Sequence, residues 1–346
     1  MSEKKRKILG ISGVIAGIIF LLVIVIYDGM KPSYNLTEKA DIAMGTVVTQ
    51  KLYSEKDCSE TVEEIEKVLE ETENNISWRI EGSQVSYLNS KFNIEADEKF
   101  LEIMEKCCDV YQKSEGAFDV TIGSLSTLWN IGEENATVPD EDEIKDKLKR
   151  VDGNKVKINN GNIEIGKNQM IDLGAVGKGL ACDYIKEVLE DSSVYGGIIS
   201  VGGSLLLYGN NPGGNSWKVA VRNPRGESGE TLGYFNLDTG FVSTSGDYER
   251  VLTVDGKNYH HILDSKTGYP AENELMSVTV VCENGLLSDA LSTAAFVLGK
   301  EKGMALLEKY EADGIFVEKD FSVTLTEGLK DNFKLTDDSF VLREDS

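Results

Sequence analysis

Positive charge and histidine are both scarce in this chain. Thirty-six lysines and arginines face 59 aspartates and glutamates, a formal net charge of −23 over 346 residues. Such a surface repels nucleic acid, which excludes binding along a phosphate backbone. It also repels a bare pyrophosphate, so a nucleotide site here needs a cation or oriented N–H donors. The only histidines are His260 and His261, and none of the five cysteines forms a Cys-x-x-Cys pair, so no zinc site is readable. Cys58, Cys107, Cys108, Cys182 and Cys282 read as small buried apolar residues, with one disulfide left open. Five prolines against 34 glycines exclude a disordered linker protein and favour tight turns or close backbone approaches. There is no internal repeat.

What is present begins with a segment unlike the rest. Lys4-Lys5-Arg6-Lys7 precedes an uncharged apolar run over residues 8–27. About 20 residues at a rise of ~1.5 Å span roughly 30 Å, the thickness of a hydrocarbon core. The basic cluster places the N-terminus in the cytoplasm and the rest outside. A cleaved signal peptide would be shorter and end in a small-x-small site, which residues 25–30 do not offer. No cysteine follows the run to carry a lipid. The expected organisation is a basic tip and transmembrane anchor over 1–28, a polar tether over 29–40, and one α+β unit, two-lobed, over 41–346. That unit belongs on the outer side of the cell membrane.

Within it, residues 42–52 read as a strand, with Met44-Gly45-Thr46 near its start. Val62, Ile65, Val68, Leu69 and Ile76 recur at helical spacing over 59–76, and Phe100, Leu101, Met104, Cys108 and Tyr111 do so over 97–114. Hairpins are expected over 151–165 and a helix over 180–190. Strands follow at 197–201, 204–208, 218–221, 234–237, 241–244, 250–254 and 276–282, then helices at 288–298 and 302–310.

Four stretches carry chemistry. Asp172-Leu173-Gly174-Ala175-Val176-Gly177-Lys178-Gly179 leads straight into a helix, so its glycines bring backbone N–H groups and the positive end of a helix dipole together with the Lys178 ammonium. It is neither a Walker A loop nor a G-x-G-x-x-G fingerprint, and a simple turn is the plainer reading. In Ser288-Asp289-Ala290-Leu291-Ser292-Thr293-Ala294, Ser288 is a natural N-cap and Asp289 falls in the first turn. Asp289 and Thr293, at i and i+4, point their oxygens the same way and suit a hard cation such as Mg²⁺; the alternative is an Asp serving its own helix dipole. In His260-His261-Ile262-Leu263-Asp264-Ser265-Lys266-Thr267-Gly268, a histidine could act as general base or contact a phosphate, and Asp264 could orient it or cap the Thr-Gly turn. Gly116-Ala117-Phe118-Asp119-Val120-Thr121, with Trp129 downstream, offers aromatic rings that could stack on flavin or adenine.

These motifs, in this order, resemble the FAD:protein FMN transferase family, also called ApbE. The likeness runs from Met44-Gly45-Thr46 through Ser243-Thr244-Ser245-Gly246-Asp247-Tyr248 to Ser288-Asp289-Ala290, covering about residues 42–310. It implies cleavage of FAD at its pyrophosphate, transfer of FMN to a Thr or Ser hydroxyl of an extracytoplasmic acceptor protein, and release of AMP. It also implies FAD contacts from Met44, Ala117, Phe118, Asp119, Asp172, Lys178 and Ile262, and Mg²⁺ held by the Ala175 carbonyl with the side chains of Asp289 and Thr293. His261 or Asp264 would take the hydroxyl proton. Two places depart from the family pattern. Arg79 stands where an aromatic is usual, and Ser265 replaces the proline of Asp-Pro-x-Thr-Gly. The rival readings are a Mg²⁺-dependent FAD pyrophosphatase releasing FMN and AMP, and a non-catalytic flavin carrier that would need no Asp289/Thr293 pair.

Overall fold

The structure, a computed structural model, describes residues 33–227 and 229–343. Among these, no helix is long and apolar enough to cross a membrane; the span expected over 8–27 lies outside the described residues.

Nine strands make the central sheet and succeed one another across it in chain order. They are β1 (Asn35–Ala43), β2 (Thr46–Ser54), β3 (Val194–Val201), β4 (Ser204–Gly209), β5 (Gly240–Gly246), β6 (Leu275–Cys282), β7 (Asp313–Glu318), β8 (Ser322–Leu325) and β9 (Val341–Arg343). All neighbours are antiparallel except β8 and β9, which makes the sheet mixed. Five helices matter below: α1 (Ser59–Ile76), α2 (Glu98–Lys113), α3 (Gly177–Glu190), α4 (Gly285–Leu298) and α5 (Lys300–Glu308).

Period-two alternation along the strands builds three layers. Leu206 of β4 and Phe241 of β5 face the helix side, packing with Val62 and Ile65 of α1 and Ala181 and Ile185 of α3. Their neighbours Leu207 and Val242 face the other way, onto Trp217, Val219 and Phe235. Those three belong to a separate three-stranded sheet formed by Trp217–Arg222, Thr231–Leu237 and Lys334–Leu335. Leu275, Val278 and Val280 of β6 meet α2, α4 and α5 in the largest apolar cluster. Each fully buried side chain of this kind stabilises by roughly 1.5–3 kcal/mol, so the three layers hold together through burial more than through helix propensity.

The fold is α+β, as expected, but several local expectations need correction. The tether gives way at Asn35 to β1, which pairs with β2 along its whole length. Its sequence, Asn35-Leu36-Thr37-Glu38-Lys39-Ala40-Asp41, is polar and mostly exposed because it is the sheet edge, so it leaves no hydrophobic pattern to read. The strand expected over 42–52 is broken by a two-residue hairpin at Met44-Gly45, where both φ angles are positive (52° and 67°). Asp255-Gly256 makes a second such turn and adds an unforeseen strand, Lys257–His260, opposite Val251–Val254. The helices Gln84–Lys91, Gly123–Trp129 and Glu141–Leu148 were likewise not anticipated. The helix expected to start at Ser288 begins at Gly285 with Asn284 as its N-cap, which accepts the Leu287 N–H at 3.0 Å. Ser288 is therefore not a cap, and Asp289 does not serve the first turn of its own helix. All five cysteines are free.

Candidate active site

Gly179, the last glycine of the 174–179 loop, stands where two helix N-termini cross in contact. A Cβ on Gly179 would lie 2.0 Å from the carbonyl oxygen of Gly285, and one on Gly285 would lie 2.1 Å from that of Gly179. At this crossing the two helices exchange carboxylates. Asp289 of α4 accepts the Gly179 N–H of α3 at 2.7 Å through Oδ2. Asp183 of α3 accepts the N–H groups of Gly285 and Leu286 at 2.7 and 2.8 Å. Each anion thus faces the positive end of the other helix. The second oxygen of Asp289, Oδ1, accepts hydroxyls from Ser204 at the start of β4 and Ser243 in β5, both at 2.6 Å. Burial pushes the Asp183 carboxyl up to about 6, against the two amide bonds that draw it down.

This crossing forms one wall of a cavity of about 780 Å³. Ala175, Lys178, Asp289 and Thr293 line it together, so residues more than 110 positions apart in the chain meet there. Ala117, Phe118, Asp119, Asp172, His261 and Ile262 line it as well. Two expected site residues do not. Met44 lies beside the cavity in its left-handed turn, its backbone N–H given to Glu73 at 3.1 Å, while the adjacent Gly45 and Thr46 reach the lining. Asp264 folds back on its own loop, where Oδ1 accepts the Lys266 N–H at 2.8 Å, the turn-capping alternative of the two considered above.

Several lining residues act first on the backbone. Asp172 accepts the Gly174 N–H at 2.8 Å and the Ser126 hydroxyl at 2.6 Å, which fixes the glycine loop. Asp119 accepts the Thr121 N–H and hydroxyl at 2.8 and 2.7 Å and the Gly153 N–H at 3.0 Å. Burial raises its pKa against these bonds. The histidine loop is pinned from below: Trp129 Nε1–H donates to the Gly268 carbonyl at 2.8 Å, and Ser265 donates to the Gly116 carbonyl at 2.5 Å. The family's missing proline is thus compensated by a hydrogen bond from the serine that replaces it.

The two histidines part company. His260 Nε2 sits 2.9 Å from the Ala271 carbonyl, so Nε2 carries the proton, and the ring meets the edge of Phe296. His261 lines the cavity, with its shielded Nδ1 lacking a hydrogen-bond partner among the described residues. Burial, reinforced by the nearby positive charge of Arg250, pulls its pKa down to about 4. It is therefore neutral at physiological pH and able to accept a proton.

Sequence reasoning missed the positive charge. Arg79, Arg222 and Arg250 join Lys178 around the cavity, four cations that offset its four carboxylates, Asp119, Asp172, Glu249 and Asp289, in an otherwise acidic protein. Arg222 and Arg250 come from elements that the sequence presents only as alternating strands, with no motif to mark them. Arg79, standing in the place of the family's aromatic, lays its guanidinium 4.3 Å from the Trp78 ring centroid. Asp183 was also missed. Its one signal is an acid set among the apolar positions of a helix.

A chain-length comparison places these features in a known group. The model of the ApbE family matches residues 44–316. The FAD:protein FMN transferase of Treponema pallidum is 31% identical over 328 residues, covering 88% of this chain and 90% of that protein. That of Klebsiella pneumoniae is 29% identical, covering 86% and 94%. Among solved structures, the ApbE protein of Thermotoga maritima superposes with a TM-score of 0.79 at 33% identity, covering 86% of this chain and 98% of that one. The flavin transferase ApbE of Vibrio cholerae gives 0.76 at 25% identity, covering 89% and 99%.

Proposed function

The chain belongs to the ApbE family of FAD:protein FMN transferases, and on that premise we propose that it attaches FMN from FAD to a Thr or Ser hydroxyl of an acceptor protein outside the cytoplasm, with Mg²⁺ bound and AMP leaving. Residues 8–27 would hold it in the membrane, facing its acceptor. One observation carries the reading: the Asp289 carboxylate reaches across to the first turn of α3, in the same cavity wall as Ala175, Lys178 and Thr293.

The residues fit a hard cation. An ionised carboxylate offers about four lone-pair positions, and three donors already occupy Asp289. One position remains, together with the Thr293 hydroxyl and the Ala175 carbonyl. Mg²⁺ takes few protein oxygens and leaves the rest of its shell to phosphate and water. When bound, it would neutralise charge on the diphosphate of FAD. Lys178 and the arginines of the cavity would orient that diphosphate in a protein whose net charge otherwise repels it. The acceptor hydroxyl attacks the phosphorus on the riboflavin side. A new O–P bond forms as the pyrophosphate P–O bond breaks, and AMP leaves with that electron pair. Neutral His261 takes the hydroxyl proton; Asp264, outside the cavity lining, has no part in the step.

The test is incubation of the full chain with FAD, Mg²⁺ and a candidate acceptor. Flavin fluorescence on the denatured acceptor band, with one AMP per label, supports transfer. Free FMN and AMP with an unlabelled acceptor would establish a pyrophosphatase instead, and intact FAD a carrier.

A further inference from the structure

A second cavity, of about 520 Å³, lies behind the helix Gly123–Trp129. That helix is a wall shared with the active site. Ser126 and Trp129 line the active-site cavity, while Ser124, Thr127 and Leu128 line the second one. The second lining is chemically unlike the rest of the chain. It holds Lys147 and Arg150 and no carboxylate, in a protein of net charge −23. The active site, by contrast, sets four carboxylates against its four cations.

Much of that positive charge is unspent. Lys145 pairs with Glu141, and Lys149 and Arg150 pair with Asp146. Lys147, half-buried among them, has no such partner among the described residues. Arg150 gives one guanidinium nitrogen to Asp146, at 2.8 Å, and keeps the others free. The Asn168 side chain, also in the lining, makes no hydrogen bond among the described residues. The frame around these donors is fixed. Asn89 accepts the Ile171 N–H at 2.7 Å and donates to its carbonyl at 2.9 Å. Buried Gln169 accepts the Gly166 N–H at 2.6 Å and donates to the Asp152 carbonyl at 2.9 Å. Phe92, Leu128 and Met170 supply an apolar side. Free N–H donors converging beside an apolar wall suit an anion carried on an organic body.

We propose that this cavity is a second binding site, for an organic phosphate monoester, coupled to the active site through the helix Gly123–Trp129. Lys147 and Arg150 take the phosphate, Arg150 through its planar fork, and the apolar side takes the body of the ligand. The Gly123 N–H donates to the Met170 carbonyl at 3.0 Å, and a Cβ on Gly123 would lie 2.6 Å from that oxygen, so helix and cavity wall move together. On the opposite side of the same helix, Ser126 donates to Asp172, which fixes the glycine loop. The lining alone selects this ligand, whatever reaction the other cavity performs.

The probe is AMP, titrated calorimetrically into the full chain saturated with FAD, with EDTA present to halt turnover. One equivalent should bind, at least tenfold tighter than inorganic phosphate. Lys147→Glu should weaken AMP binding at least tenfold, and Arg150→Gln should weaken it too, with FAD affinity and circular dichroism unchanged in both. Hydrogen exchange over residues 123–129 should slow when AMP joins the FAD-filled protein. Absence of AMP binding to that protein, or binding indifferent to Lys147→Glu, overturns the site. Binding no tighter than that of inorganic phosphate overturns the organic ligand, and unaltered exchange over 123–129 overturns the coupling.

Discussion

Replacing Gly179 by alanine perturbs the account at its tightest point. The added methyl would sit 2.0 Å from the Gly285 carbonyl oxygen, 2.6 Å from its carbon and 2.9 Å from Asp289 Cγ. Real contacts of this kind do not fall below 3.0 Å. The obstructing atoms are mainly backbone, so no rotamer change relieves the clash, and α3 and α4 must part by about 1 Å. Overpacking of this sort costs typically 1–3 kcal/mol. Parting the helices also stretches the 2.7 Å bond from Gly179 N–H to Asp289, a charge-assisted bond worth roughly 1.5–3 kcal/mol. The sum, about 2.5–6 kcal/mol, is a large share of an ordinary folding stability of about 5–15 kcal/mol. Chemical unfolding of Gly179→Ala should show that loss. Because a displacement of ~1 Å at a reacting centre can cost 10²-fold, transfer by the fraction still folded should fall by about that factor. A variant that unfolds at the wild-type denaturant midpoint and transfers FMN at the wild-type rate refutes the helix crossing as the frame of the site.

Other outcomes follow from the same geometry. Ser204→Ala combined with Ser243→Ala removes both hydroxyl donors from Asp289 Oδ1 and should raise the Mg²⁺ concentration for half-maximal transfer about tenfold, without change in far-UV circular dichroism. The pH profile of kcat/KM should have its acid limb near 4, because His261 must be neutral and its pKa is pulled down to about 4; a limb near 6.5, the ordinary histidine value, removes His261 as the base. Stability against pH separates two buried groups of opposite sign. His261 has a folded pKa below its unfolded 6.5, so its contribution is lost as pH falls from 6.5 to about 4, roughly 3 kcal/mol in full. Asp183 has a folded pKa of about 6, above its unfolded 3.8, so its contribution is present below 3.8 and lost as pH rises through 6, again roughly 3 kcal/mol. Relative to wild type, His261→Gln should therefore lose stability as pH rises across this window and Asp183→Asn should gain it, measured by urea unfolding at each pH.

What was legible in the sequence was local. The glycine loop, the Asp289/Thr293 spacing and the histidine loop are each contiguous, and each carries residue types that few other structures need. α1 announced itself through its apolar stripe, whereas α2, expected as a helix, buries Phe100, Ile103, Met104, Cys107 and Val110 rather than the stripe through Leu101, Cys108 and Tyr111. What was not legible is long-range or main-chain in origin. The start of α4 was misplaced because Ser288 looks like a cap, whereas Asn284 performs that role, and only tertiary contact reveals Asp289 reaching a different helix. β1 forms through main-chain pairing with almost no apolar burial, so its residues resemble a linker. Of the cavity's arginines, Arg222 ends a strand while Arg79 and Arg250 lie in turns, positions that any exposed residue could fill. Asp264 lies within a convincing motif yet is spent on its turn, which spacing alone could not separate from a part in the chemistry.

The most direct measurement is flavin labelling by Asp289→Asn beside wild type, with FAD, Mg²⁺ and one acceptor, at a temperature where circular dichroism shows both proteins folded. The substitution keeps the shape of the side chain while removing its charge. The account predicts a fluorescent acceptor band and released AMP with wild type, and neither with Asp289→Asn at any Mg²⁺ concentration. Equal labelling by the two proteins would contradict it.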